Sequence, residues 1–213
     1  MTVAPPGKLK TTRDGAAIVL VPSIMRSGTH LLIDSILNNI SVYRRRPLYI
    51  DLDQYVISGL DPNDILLAGP YVVKTHFPQV QVPGLSEAVR LIASRSRILI
   101  PRRNPDSIIK SSLLFDADLS AESINAAFAQ FDGFWLQYEH MDVQFERLTH
   151  RDRYHALMHE ISRFIGSDAR KSLIFPPAKN EKMKVYLIKA MTRLIGKYSP
   201  VVNTTISFSK KAK

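Results

Sequence analysis

The chain has 213 residues, 45% of them apolar and 23% charged, the balance of an ordinary globular protein rather than a disordered one. A formal net charge of +10 points to a polyanionic partner, whether nucleotide, nucleic acid, acidic glycan or anionic membrane. With no cysteine, a disulfide framework, a thiolate metal site and a cysteine nucleophile are all excluded.

The two ends are basic, with Lys8, Lys10 and Arg13 at one and Lys210, Lys211 and Lys213 at the other. Residues 1–13 and 201–213 are expected to be flexible, flanking a single domain over 14–200. The opening "MTVAPPGKLKTTRDG" lacks the apolar core of a secretion signal, and no apolar run reaches membrane-spanning length. A cytoplasmic location is the expectation.

Ala16 to Val21 reads as the first strand, followed by "PSIMRSGTH" from Pro22 to His30. Leu32, Ile33, Ile36, Leu37 and Ile40 then recur at helical spacing, so a helix is predicted from near Thr29. "PLYI", ending just before Asp51, "YVVKTH" and "RILI" at 97–100 read as further strands. After "RILI", Asn104 has the chemistry of an N-cap and Pro105 that of a first helical residue, which predicts a helix to about Phe115. A longer helix is marked by Ile124, Ala127, Phe128, Phe131, Trp135 and Tyr138, with Phe134 also expected in the core. "DVQF" from Asp142 to Phe145 reads as a strand. Leu157, Met158, Ile161, Phe164 and Ile165 give another helix, closed by Gly166. A loop and a last helix, carrying Leu187, Ala190, Met191, Leu194 and Ile195 and ending at Gly196, complete the pattern. Strands alternating with helices predict an α/β fold with a parallel sheet covered on both faces. Ligands of such sheets gather at the carboxyl ends of the strands, and three polar clusters fall there.

The first cluster is "PSIMRSGTH". A strand, a turn and a helix start present free backbone N–H groups and the positive end of the helix dipole. Ser27, Thr29 and His30 add donors, and Arg26 adds a permanent charge suited to phosphate or sulfate oxygens. Gly28 is the only glycine, and the stretch lacks the glycine and lysine spacing of a Walker A loop. The plainer alternative is a turn capped by Thr29. The second cluster is "YVVKTHFP", where alternation places Lys74 and His76 on one sheet face. A histidine there suits a general base, and an adjacent ammonium suits charge neutralisation; the alternative is a structural histidine bonded to backbone. The third is "PRRNPDSIIKSS", in which Ser111 stands eight positions after Arg103. Asn104, Ser107 and Ser111 form one helical stripe that Arg103 can overhang, unless the serines simply face solvent.

In this order the three stretches resemble the sulfotransferases that use 3′-phosphoadenosine 5′-phosphosulfate (PAPS). "PSIMRSGTH" is similar to the family's 5′-phosphosulfate loop, P-K-S-G-T-T. "KTHFP" is similar to its K-T-H-x-P strand end, and "RRNPDSIIKSS" to its 3′-phosphate segment. "DVQFERL" and the later "FIG" resemble its "YEDL" strand and "FLG" helix end. The resemblance spans Ile18 to Gly166 and implies a P-loop NTPase-like three-layer sandwich with a central, mainly parallel sheet. It further implies that Arg26, Ser27, Gly28, Thr29 and His30 hold the 5′-phosphosulfate, and that Arg103 and Ser111 hold the 3′-phosphate. His76 would deprotonate the acceptor, Lys74 would line the pocket, and no metal is expected. Arg26 stands where the family has lysine, and His30 where it has a second threonine. The family's R-K-G-x-x-G-x-W-K-N segment is absent, leaving Lys179 and Lys182 of "PPAKNEKMK" as stand-ins.

Two other classes fit parts of the sequence. A kinase of related fold would need Mg²⁺ on a strand-end carboxylate, for which only Asp51 and Asp53 are placed. A non-enzymatic basic module would use "YRRRP" and the ends for an anionic glycan, nucleic acid or membrane. No reader motif or interleaved aromatics mark a nucleic-acid partner, so none is expected. The last helix, with Lys182, Lys184, Lys189 and Arg193 beside its apolar stripe, suits peripheral membrane contact. The acceptor stays open among small molecules, glycans and lipids. His140, His150, His155 and His159 show no ligand spacing, and Glu146 and Arg147 are expected to pair with each other.

Overall fold

The first strand, β1 (Ile18–Pro22), is buried along its whole length. A strand reading "IVLVP" has no polar face to offer water, so it belongs in the middle of a sheet covered on both sides. In the computed structural model, which describes residues 17–43, 49–114 and 119–175, β1 is central. The remaining strands are β2 (Ile50–Asp51), β3 (Val72–Thr75), β4 (Ser96–Arg102) and β5 (His140–Gln144). Their order is β2-β3-β1-β4-β5, and every pair is parallel.

Alternation along β1 divides the core. Ile18 and Leu20 join Val73, Ile98 and Ile100 on one face, covered by α2 (Leu52–Ile57), α3 (Pro62–Ala68), α4 (Leu85–Ala93), α5 (Pro105–Leu113) and α6 (Ala121–Trp135). Val19 and Val21 join Val72, Leu99 and Val143 on the other face. There α1 (Thr29–Asn39), α7 (Phe145–Thr149) and α8 (Arg151–Ile165) cover them. The result is the expected three-layer α/β sandwich around a central sheet, wholly parallel among the described residues. The strand ends line up: Pro22 sits beside Thr75, and Arg102 beside Gln144. Loops leaving β3, β1, β4 and β5 therefore share one rim.

Local chemistry explains most boundaries. Asn104 caps α5, its side chain accepting from Ser107 N–H, and Pro105 opens the helix. Gly166 ends α8 in the left-handed conformation. Phe131 and Trp135 are buried, with Phe128 and Phe134 packed against them.

Three expectations need correction. Three helices, α2, α3 and α4, lie where none was predicted. The strand expected at 142–145 runs from His140 to Gln144, and Phe145 instead opens α7. Glu146 and Arg147 do not pair; Arg147 makes a bidentate bridge to Glu160 of α8, at 2.7 Å for each bond. Arg102, the first arginine of "RRN", is absorbed structurally by Asp132 and Asp142, at 2.6 and 2.7 Å. The basic ends, Arg44 to Arg46, Phe115, Lys179, Lys182 and the predicted helix through Ile195 lie outside the described residues. Among the described residues, no helix is long and apolar enough to cross a membrane.

Candidate active site

The loop leaving β1 is built by four backbone facts. Ser23 N–H donates to Thr75 O, continuing the β1–β3 ladder by one rung, and Ser27 N–H closes a turn onto Ile24 O. Arg26 takes φ 71°, the left-handed region, at a cost of about 1–2 kcal/mol for a residue with a Cβ. Gly28 takes φ 101° and precedes α1. A Cβ at Gly28 would also collide with the ring of Phe145, so this position requires glycine twice over.

The start of α1 carries no side-chain cap. Thr29, the candidate cap, instead donates from Oγ1 to Ser23 Oγ at 2.7 Å. The capped-turn alternative therefore fails: the first N–H groups of α1 keep the electropositive character of an open helix end. The same bond keeps the Thr29 hydroxyl on Ser23, away from the backbone N–H groups that open α1. Ser27 is 1% exposed, and its Oγ makes no hydrogen bond. A buried hydroxyl without a partner is costly unless a ligand supplies one.

The arginines meet at this corner. Arg26 Nε donates to Ser111 Oγ at 3.1 Å, and Arg103 Nη1 donates to Arg26 O at 3.1 Å. The Arg103 guanidinium also lies over the Phe145 ring, 4.6 Å from its centroid. Phe145 thus packs on Gly28 and supports Arg103 at once. Arg26, Ser27, Gly28, Thr29, Arg103 and Ser111 form one corner. Of the predicted serine stripe, Ser111 faces it, while Asn104 is occupied as a cap.

One strand away, His76 follows β3 and is half-buried. Its Nδ1 lies 2.7 Å from Ser23 O and 3.2 Å from Ser23 Oγ. A carbonyl can only accept, so Nδ1 bears the proton and the lone pair is on Nε2. Burial pushes the imidazole below its ordinary pKa, and the nearby Lys74 charge adds to this against the opposing Ser23 carbonyl and Asp51. A neutral ring with an open Nε2 is the form a general base needs.

Lys74 is arranged differently from the expectation. Its Nζ is 2.6 Å from Asp51 Oδ2, and both side chains are nearly buried. The pair is neutral as a unit, so Lys74 presents no free ammonium to a ligand. Asp53 accepts from Thr75 Oγ1 at 2.5 Å and from His76 N–H at 2.8 Å. Burial raises its carboxyl above the usual range, against the lowering effect of those two bonds. Both carboxylates that a metal-dependent reading would use are thus engaged with side chains or backbone. Among the described residues, no group of three His, Asp or Glu is assembled to hold a metal. His30 is exposed on α1, its Nε2 3.1 Å from Tyr49 Oη, and the Tyr49 phenol is pushed up to about 12 by burial and by Asp51 and Asp34.

Three contributors carry weaker signals in the sequence. Ser23 stands inside the first motif, where a lone serine right after a strand has no distinguishing spacing. Asp53 carried a signal only as a carboxylate after a strand. Phe145 was read as the end of a strand, although it lies inside "DVQFERL".

No family model and no curated protein matches the chain. Among solved structures, shikimate kinase from Bacteroides thetaiotaomicron is similar over 71% of this chain and 99% of that one. The identity is 13% and the TM-score 0.45.

Proposed function

We propose that this protein is a sulfotransferase that moves a sulfuryl group from PAPS to a hydroxyl or amine of an acceptor. The observation that carries the reading is the joining of the β1–α1 loop to α5, through Arg103 on Arg26 O and Arg26 on Ser111. Two permanent charges, an uncapped helix start and the unpartnered Ser27 hydroxyl then share one corner, which suits a ligand bearing several anionic groups.

The donor nucleotide supplies an activated sulfuryl group with a phosphate leaving group. Arg26 and the α1 N–H groups would stabilise charge gathering on that phosphate; a guanidinium stays protonated, so its part is electrostatic. Arg103 and Ser111 would hold the second phosphate. His76 Nε2 would take the acceptor proton as the acceptor oxygen bonds to sulfur and the sulfur–oxygen bond to phosphate breaks. In support, the His76 ring after β3 hydrogen-bonds to Ser23 O in the loop that carries Arg26, which ties the proposed base to the proposed anion corner.

Thermal unfolding in the presence of adenosine 3′,5′-bisphosphate or of ATP–Mg²⁺ separates this from a kinase of related fold. Stabilisation by the bisphosphate alone supports sulfuryl transfer; stabilisation by ATP–Mg²⁺ alone overturns it.

A further inference from the structure

We infer that Asp53 is a positioning residue for His76: its carboxylate fixes the peptide that carries the imidazole, so that the ring must donate from Nδ1 and present Nε2. This rests on the reading of His76 as the base. Asp53 lies in the first turn of α2 and is 3% exposed, and both of its oxygens are spent on consecutive residues of one neighbouring strand end. One accepts from the Thr75 hydroxyl and the other from the His76 amide. Thr75 Oγ1 in turn accepts from Phe77 N–H at 3.1 Å. Residues 75, 76 and 77 are therefore tied, directly or through one hydroxyl, to a single buried carboxylate.

That arrangement exceeds what folding asks for. Asp51 already provides the side-chain cap of α2, accepting from Gln54 N–H at 3.4 Å, so Asp53 is not needed there. An isolated amide at a strand end is satisfied by any neutral acceptor, without the desolvation of a buried carboxylate. What the carboxylate adds is two fixed directions. With the His76 amide held from the α2 side, the ring reaches across to Ser23 O in the neighbouring loop, 2.7 Å away. Amide and Nδ1 are anchored on opposite sides. Among the described residues, Nε2 has no hydrogen-bond partner. Asparagine at this position can keep both bonds, its oxygen on the His76 amide and its NH₂ donating to the rotatable Thr75 hydroxyl, whereas alanine removes both acceptors and releases the peptide.

The test is nitrogen-15 NMR of the His76 imidazole in the full chain, wild type and Asp53→Ala, with calorimetric titration of adenosine 3′,5′-bisphosphate alongside. The wild type is expected to hold the Nδ1–H tautomer and a His76 amide protected from hydrogen exchange. Asp53→Ala should populate the Nε2–H tautomer while binding the bisphosphate within about threefold of wild type. The wild-type arm needs no variant to fold: a ring protonated at Nε2, or a rapidly exchanging His76 amide, overturns the inference. So does an unchanged tautomer in Asp53→Ala. Failure of the bisphosphate to bind the wild type would instead count against the sulfotransferase reading, leaving the tautomer result to stand by itself.

Discussion

Arg26 and Ser111 are 85 positions apart in the chain and meet through a 3.1 Å hydrogen bond from Nε to Oγ. The bond crosses from the loop after β1 to the second turn of α5, and Arg103 closes the same junction from the other side. A left-handed arginine is tolerated here because both its guanidinium and its carbonyl are held.

Arg26 is thus both charge and strut. Arg26→Ala should weaken adenosine 3′,5′-bisphosphate by roughly 10–100-fold, since charge-assisted hydrogen bonds contribute about 1.5–3 kcal/mol. Arg26→Lys should lose less, because it keeps the charge and gives up the planar fork that reaches Ser111. Competition of the two variants against wild type in calorimetry checks the order. Equal losses would mean that charge plays no part.

Gly28 faces two penalties on substitution. Gly28→Ala should lower stability by about 1–3 kcal/mol, from the positive φ and the collision with the Phe145 ring. Removing the ring in Gly28→Ala/Phe145→Ala relieves only the second. Denaturant midpoints of the two single variants and the double variant should therefore be non-additive. Strict additivity would show that the contact is not felt.

The Lys74–Asp51 pair is a buried ion pair, whose halves fare worse alone than together absent. Asp51→Asn strands the ammonium and should cost roughly 3–5 kcal/mol. Asp51→Asn/Lys74→Met should recover much of that loss. If the single variant is as stable as wild type in urea, Lys74 is free to move and its neutralised role here is wrong.

Each strand and four of the eight described helices were legible: β1 is apolar throughout, α1, α6 and α8 bury residues at helical spacing, and α5 opens on Asn104 and Pro105. The helix α4 carried the same signal in Leu85, Ala88, Val89 and Ile92, and was missed in a stretch opened by proline and glycine. Helices α2 and α3 are too short for a period to show; only Asp51, Asp61 and Pro62 mark their starts. The meeting of Arg26, Arg103 and Ser111 at one corner was legible because strand-to-helix corners announce themselves locally. The engagement of Lys74 by Asp51, and of His76 by Asp53, was not. Both depend on β2 lying beside β3, an adjacency that no local pattern encodes.

The titration of His76 gives a pH prediction with a definite sign. Its folded pKa is depressed, chiefly by burial, so as pH falls the unfolded chain takes up the proton first, near about 6.5. The stability contributed by the neutral ring is complete above that value and declines below it. Urea unfolding at pH 5 and pH 7.5 should show an acid loss in wild type that shrinks in His76→Ala. An identical loss in both would assign the effect to other groups. Turnover should show an acid limb below the ordinary histidine pKa, while His76→Ala retains nucleotide binding.

The most direct test of the anion corner is calorimetry with adenosine 3′,5′-bisphosphate on wild type and Arg103→Ala. The account predicts saturable one-site binding to wild type that Arg103→Ala weakens at least tenfold. No binding to wild type, or binding that Arg103→Ala leaves unchanged, would contradict it.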